Sequence, residues 1–352
     1  MSNPFRKPAT AGASAGGGTA GVVGPARETT LVGRIHDILH KNATLGPLFV
    51  LVLAVLYFSI TADRFLAPGN LSLIVQQVMV VGTLGIAQTL VILTAGIDLS
   101  VGAIMVLSSI VMAKLGSDSG LPGLLALGLG FSVGTACGLI NGLLITRLKL
   151  PPFIVTLGTL YVFFALNLWY SQSETIRGTD MPSLLLWTGK AVSIGDTRIT
   201  YGSILMVVLF GVFAWVLKNT AWGRHVYAVG DDAEAARLAG VRKDRVLLSV
   251  YVVAGLICAV AGWMLIGRIA SASPQAGGTA NLDSITAVVI GGTSLFGGRG
   301  LVVGTLFGAL IVGVLRNGLT LAGVDVLWQD FAVGILIIAA VAIDQWIRKV
   351  KA

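Results

Sequence analysis

Charge is what this chain has least of. Only 11% of its 352 residues are Asp, Glu, Lys or Arg, against about 25% in soluble domains. A water-soluble fold of this length would lack the charged groups to cover its surface, so that class is excluded. Cysteine is nearly absent: Cys137 and Cys258 both fall inside apolar runs, where a thiol reads as a small packing residue. No Cys-x-x-Cys or Cys/His cluster is present, which leaves a disulfide framework or a metal centre unsupported. No Gly-Lys-Ser/Thr occurs anywhere, so the chain has no phosphate-binding loop for ATP. His36, His40 and His225 lie outside the apolar segments. No triad or metal set converges on them, which argues against a membrane-embedded enzyme.

What is present is apolar length. Hydrophobic residues make up 55% of the chain, in runs able to cross a bilayer, which takes about 20 residues each. The expected spans are 45–62, 71–94, 100–115, 122–146, 152–171, 202–218, 246–266, 284–296, 301–322 and 326–346. The reading is an all-α integral membrane protein of about ten transmembrane helices. The third and eighth spans are short and interrupted by glycine. They are expected to be broken or partly re-entrant, which only surrounding protein or a cavity permits. Residues 1–30 are rich in Gly and Ala and lack the apolar stretch of a secretory signal, as expected for a disordered tail. Leu31, Ile35, Ile38 and Leu39 recur at helical spacing, so 31–44 forms either an interfacial helix or an extension of the first span. A transmembrane domain follows over 45–346, then a basic tail over 347–352.

The net charge of +8 sets orientation rather than pointing to nucleic acid. With the N-terminus in the cytoplasm, the outer segments hold seven basic residues, Arg64, Lys114, Arg177, Lys190, Arg198, Arg268 and Arg316, and the inner segments hold the other 17 of 24. That bias follows the positive-inside rule and places both termini in the cytoplasm. Gly130, Gly134, Gly138 and Gly142 recur every four residues in the fourth span, and Gly304 and Gly308 repeat the spacing in the ninth. Such ridges let helices approach backbone to backbone.

A few polar residues interrupt the spans. Asp98 lies in Ala95-Gly96-Ile97-Asp98-Leu99-Ser100. A carboxylate at this depth faces a partner or a cavity. Asp98 with Ser100 either caps amides of the next helix or lines a substrate path. Proton coupling is a third reading, but no second buried acid or histidine completes a relay. Gln76, Gln77, Gln88, Asn141 and Asn167 suit a path for a hydroxyl-rich solute, or serve as interhelical hydrogen bonds. Gly291, Gly292, Gly297, Gly298 and Gly300 belong to a glycine-rich stretch read as a tight, close-packed re-entry.

The longest charged interruption, about 219–245, carries a dense set of helix signals. Asp231 is the expected N-cap, and Glu234 three residues on completes a capping box. Ala235, Ala236 and Leu238 favour helix, and Gly240 supplies a left-handed stop. Two turns of helix with a small-residue face and Arg237 beside it are suited to touching a soluble partner.

These residues resemble a family. Glu234-Ala235-Ala236, three residues and Gly240 resemble the cytoplasmic coupling loop of ABC importer permeases. With Gly223–Gly230, Gly96–Gly102, Pro151–Gly158 and Ile290–Gly300, the chain is similar over about 45–346 to monosaccharide permeases of the ribose, xylose, galactose and fructose type. The resemblance implies about ten helices per subunit and a second permease subunit forming a homodimer. It also implies a cytoplasmic ABC ATP-binding subunit seated on Asp231, Glu234, Ala235, Ala236, Arg237 and Gly240. A periplasmic or lipid-anchored sugar-binding protein delivers the sugar. ATP and magnesium belong to the ATPase, and none is bound by this chain. The implied location is the bacterial cytoplasmic (inner) membrane, in contact with lipid. Asp231 and Asp232 stand where the family often has Gly-Asn, and no acid stands near Ser273. Related permeases for nucleosides or branched-chain amino acids share this architecture. An ion-coupled secondary transporter working alone is the rival of another class.

Overall fold

The computed structural model describes residues 45–195 and 197–351, with residues 340 and 343–351 described by backbone alone. The tail over 1–30 and the helix expected within 31–44 lie outside the described residues. In chain order the first helices are α1 (Leu45–Thr61), α2 (Pro68–Leu93), α3 (Val101–Ser117), α4 (Gly123–Arg147) and α5 (Pro152–Ser171). A segment with three short strands, β1 (Ile176–Arg177), β2 (Ala191–Ile194) and β3 (Thr197–Thr200), leads to α6 (Tyr201–Asn219). Two short helices, α7 (Ala221–Asp231) and α8 (Ala233–Leu238), precede α9 (Lys243–Ile269) and β4 (Ser271–Ala272). The chain continues through α10 (Ala280–Ile290), α11 (Val302–Leu321) and α12 (Val326–Lys351). Six helices, α2, α4, α5, α6, α9 and α11, are long and apolar enough to cross a membrane. Four shorter apolar helices, α1, α3, α10 and the start of α12, complete the set. Each of these helices overlaps one expected span.

Local chemistry explains the ends. Proline opens α2 and α5 at the first turn, where its missing N–H costs nothing. The Thr200 hydroxyl accepts from the Ser203 amide at 3.3 Å and starts α6. The third span is short but unbroken; the irregular stretch lies before it, over residues 94–100. The eighth span differs from expectation. Its helix, α10, begins at Ala280 rather than 284 and ends at Ile290, so 291–296 is loop. The early start has a cause: Asn281 donates to the Leu99 carbonyl at 3.2 Å and Asp283 pairs with Arg316 at 2.9 Å, so both polar side chains are satisfied inside the protein. Arg316 also reaches Asp330 at 2.9 Å and so ties α10, α11 and α12 together.

The core is built on α2 and α9. α9 packs against α2, α3 and α4, while α11 packs against α10, α2 and α1. Ile86, Ala87, Leu90, Val91, Ile92 and Leu93 of α2 are all fully buried, as befits a helix apolar on every side. α4, α5 and α6 instead expose Leu124, Tyr161, Trp169 and Trp215 outward, the composition of a lipid-facing surface. The glycine ridge of α4 meets α9. A Cβ on Gly134 would lie 2.6 Å from the Ala259 Cβ, and one on Gly142 would lie 2.8 Å from Leu248. Gly138 presses on the Tyr251 carbonyl and Gly255, while Gly130 faces Met112 of α3. Gly304 and Gly308 seat α11 on Gly291 and Ala287. Cys137 and Cys258 are buried in the same core.

The structure is mostly helical, as expected, and adds four short strands. β2 and β3 form an antiparallel hairpin with Ala191 opposite Thr200, and β1 pairs with β4. The Ser72 hydroxyl donates to the Arg198 carbonyl and fastens the hairpin to α2. Trp187 stacks between Tyr201 at 4.7 Å and Trp263 at 5.7 Å. The segment between α5 and α6 is therefore folded onto the ends of α2, α6 and α9.

Candidate functional site

α8 is a six-residue helix held by its own ends. The Asp232 carboxylate accepts from the Glu234 amide at 2.9 Å and the Ala235 amide at 3.0 Å. The N-cap is thus Asp232, not the expected Asp231, which is the last residue of α7. The capping box does not form either: Glu234 pairs forward with the Arg237 Nε at 2.9 Å. Both partners of that pair are exposed, so its worth is small. At the other end Gly240 takes φ +85°, the left-handed stop that was expected. The Gly240 amide reaches the Arg237 carbonyl at 3.0 Å and the Val241 amide reaches the Ala236 carbonyl at 2.9 Å. Ala236 is buried, whereas Glu234, Ala235, Arg237 and Ala239 are exposed. Leu238 is 79% exposed. It is a bare apolar side chain among small ones, on the face turned away from the bundle. Sequence reasoning passed over it as one helix former among several; an apolar residue on the outer face of so polar a loop was the available signal.

α7 joins α8 to the membrane helices. Its first turn is capped by the Thr220 hydroxyl, which accepts from the Gly223 amide at 3.1 Å. The Trp222 indole donates to the Ser249 hydroxyl of α9 at 2.8 Å, and the Tyr227 hydroxyl donates to the Gly300 carbonyl at 2.8 Å. Burial pushes the Tyr227 phenol above its ordinary value. Near its C-terminus Gly230 lies directly against the Leu93 carbonyl.

The glycine-rich stretch closes this junction. The Gly298 amide donates to the Leu93 carbonyl at 3.0 Å, and the Ser294 amide donates to the Arg299 carbonyl at 2.9 Å. Gly297 and Gly298 have φ of +85° and +69°, conformations that L side chains rarely adopt. Space is also lacking: a Cβ would fall 2.8 Å from Ala95 at Gly297, and 2.7 Å from Asp231 at Gly298. Gly291 contacts Gly304, and Gly300 contacts Thr293. Gly292 has φ +83°. The end of α2, the end of α7 and the loop after α10 therefore meet with no intervening side chains.

Beyond the junction lies the Asp98 cluster. One Asp98 oxygen accepts from the Ser100 amide at 2.7 Å and the Ser100 hydroxyl at 2.6 Å. Asn141 of α4 donates to that hydroxyl at 2.8 Å. Asp98 thus stabilises a local turn before α3; it does not cap the amides of the α3 first turn. Thr156 of α5 donates to the Ile97 carbonyl at 3.0 Å. Residues 94–100 are therefore held from α4, α5 and α10, and are touched by the loop after α10.

The remaining path candidates are dispersed. Gln76 donates to Ser72 at 3.0 Å and to the Arg198 carbonyl at 3.3 Å, beneath the hairpin. The Gln77 main-chain carbonyl accepts from Arg268 at 3.5 Å. Asn167 holds the Pro274 carbonyl at 2.9 Å. Gln88 is fully buried in α2, and its side-chain amide has no partner among the described residues. The structure brings together Asp98, Ser100 and Asn141; it does not join the others to them.

An open cleft of about 960 Å³ lies between α8 and the start of α9 on one side and the end of α4 on the other. It reaches Thr94, Ala95 and Gly96 and carries Lys149, Arg242, Lys243 and Arg245 in its lining.

Comparison with known proteins gives this geometry a context. A family model described as branched-chain amino acid transport system, permease component, matches residues 70–341. A fructose import permease protein of Rhizobium meliloti is 55% identical over 331 residues, covering 93% of this chain and 92% of the relative. A ribose import permease protein of Bacillus subtilis is 44% identical over 314 residues, covering 89% of this chain and 95% of the relative. A D-allose transport system permease protein of Escherichia coli is 34% identical over 305 residues, covering 86% and 92%. No solved structure matches the chain.

Proposed function

The chain belongs to the branched-chain amino acid transport system / permease component family, and from that premise we propose that it is the permease subunit of an ATP-driven ABC importer of a monosaccharide. The likeness to fructose, ribose and allose permeases over most of the chain supports a sugar as cargo. It is a multi-pass protein of the bacterial inner membrane, with six helices among the described residues long and apolar enough to cross. It transports and does no bond chemistry.

The observation that carries the coupling role is α8, an exposed helix whose neighbour α7 is seated without spacers on the end of α2. An ATP-binding subunit docks on Asp231, Glu234, Ala235, Ala236, Arg237 and Gly240, with Leu238 as anchor. ATP and magnesium reside on that subunit. When its two copies close, α8 is displaced. α7 and the Gly297–Gly298 turn carry the displacement to residues 94–100. The bundle then switches between two packings, a rigid-body change of access. Two copies of the permease form the pathway, both termini lie in the cytoplasm, and a binding protein delivers sugar from outside. Gln76, Gln77, Gln88, Asp98, Ser100, Asn141 and Asn167 are the polar groups offered to a hydroxyl-rich solute when the path opens.

The test is ATP-dependent sugar uptake in vesicles containing the partner subunits. Ala235→Glu with Ala239→Glu places charge and bulk on the exposed face of α8, where both alanines stand free of the core. Loss of one central contact costs about 2 kcal/mol or more, so uptake should fall at least about tenfold. Normal uptake by this variant would overturn the coupling role. Uptake driven by a proton or sodium gradient without ATP would instead favour a carrier acting alone.

A further inference from the structure

A groove of about 390 Å³ runs between the end of α6, α7 and the start of α11. Leu217 and Val302 in its lining are buried, while Leu301 and Val303 form an exposed apolar rim. Lys218 and Arg224 line it too, and no carboxylate does. Both bases are exposed, and neither is in an ion pair among the described residues. None of these residues belongs to α8 or to the docking face assigned above. Spacing along α6 sets the level of the groove. Ile204, Val208, Gly211, Trp215 and Lys218 recur three and four apart, so they share one stripe, and all are exposed. α6 is long and apolar enough to cross a membrane. The stripe is thus lipid-facing as far as Trp215, an aromatic of the interfacial type, and ends on Lys218 at the height of the headgroups.

We infer that this groove binds the headgroup of an anionic phospholipid, with its phosphate on Lys218 and Arg224 and an acyl chain along the stripe from Trp215 to Ile204. Arginine matches phosphate oxygens through paired N–H donors, and bases at the membrane surface attract anionic lipid. Charge and shape select the class together. A zwitterionic headgroup brings a cation of its own into a groove that holds no carboxylate to receive it. A soluble phosphate would leave the apolar rim and stripe uncovered. The volume lies at the small end of ligand sites, about 300–1,000 Å³, which suits a headgroup whose chains lie outside. Bound there, the lipid touches α6, α7 and α11 at once. The Tyr227 hydroxyl already ties α7 to the Gly300 carbonyl before α11, and the lipid would hold α7 in that seat. On the importer reading α7 carries the displacement of the ATP-binding subunit, so anionic lipid would firm the coupling. That consequence rests on the importer reading; the binding itself does not.

The experiment is native mass spectrometry of the purified full-length permease in neutral detergent, titrated with phosphatidylglycerol, phosphatidylcholine or glycerol 3-phosphate. The first phosphatidylglycerol should bind about tenfold tighter than either other probe. Lys218→Gln with Arg224→Gln should lower its affinity about tenfold or more. Arg242→Gln with Arg245→Gln removes the same charge from exposed positions outside the groove and should leave that affinity unchanged. Val303→Trp fills the groove while keeping both bases, and should weaken binding about fivefold or more. Val303 is exposed, so the unfolding temperature of that variant should stay put. Equal binding of phosphatidylglycerol and phosphatidylcholine would overturn the assignment. So would equal binding of glycerol 3-phosphate, which has no acyl chain. An equal loss on changing Arg242 and Arg245 would mean diffuse attraction rather than a site, and would overturn it too. If the groove variants instead change only the ratio of monomer to dimer in the same spectra, a second copy covers the groove and the lipid assignment is wrong. Neither ATPase nor transport enters the measurement, so its failure would leave the importer reading intact.

Discussion

Gly230 and Gly240 stand ten positions apart and show two opposite uses of glycine. At Gly230 a Cβ would strike the Leu93 carbonyl, so the residue is there for lack of space. At Gly240 nothing lies within 4 Å of the Cβ position, and the residue is there for its φ of +85°. The first sits in a junction of three backbones; the second ends a helix with an open face. On the proposed coupling role, the difference separates transmission from reception. A junction that must pass a displacement has no compliant side chains between its parts, because close-packed elements move together. A surface that must accept a partner keeps room in front of it.

Substitutions can break this contrast in graded ways. The largest effect on the permease itself is expected from Gly230→Val. The obstacle is backbone, which cannot turn aside, so overpacking should cost about 3 kcal/mol or more. Thermal unfolding in detergent should shift sharply downward and uptake should vanish with it. A stable Gly230→Val permease would mean that α7 is not seated on α2 as described. A smaller effect is expected from Asp232→Ala. It removes the side chain that accepts from Glu234 and Ala235, a loss of about 1 kcal/mol confined to α8. ATP-dependent uptake should drop several-fold while unfolding of the bundle stays put. An equal change from Asp231→Ala would show that the neighbouring carboxylate shares the cap.

Much of this contrast was legible in the sequence, and the failures have physical causes. Hydropathy located the apolar helices because the bilayer fixes their length, and the four-residue glycine spacing announced a close helix contact on α4, though not that its partner is α9. The position of α8 and its stop at Gly240 also followed from local chemistry. The choice between Asp231 and Asp232 did not. Two adjacent carboxylates are equivalent as caps until the end of α7 is known. α7 was itself hidden, because its aromatic and charged residues form an amphipathic helix too short to register as a span. The start of α10 was misplaced because Asn281 and Asp283 read as outer loop, while their actual partners, Leu99 and Arg316, are remote in sequence. The hairpin over β2 and β3 was missed for a related reason. Its anchor to α2 runs from Ser72 to the Arg198 carbonyl, a contact that no local pattern encodes. The Asp98 cluster was half legible: a partner for the carboxylate was expected, but not that Ser100 and Asn141 would supply the arrangement.

The most direct measurement is the amount of ATP-binding subunit that copurifies with a Leu238→Glu permease. Leu238 is 79% exposed, so the change should leave permease stability within about 0.5 kcal/mol. Its effect should fall on the partner alone: copurification is expected to be lost while the unfolding temperature of the permease is unchanged. Full recovery of the ATP-binding subunit with this variant would contradict α8 as the docking helix.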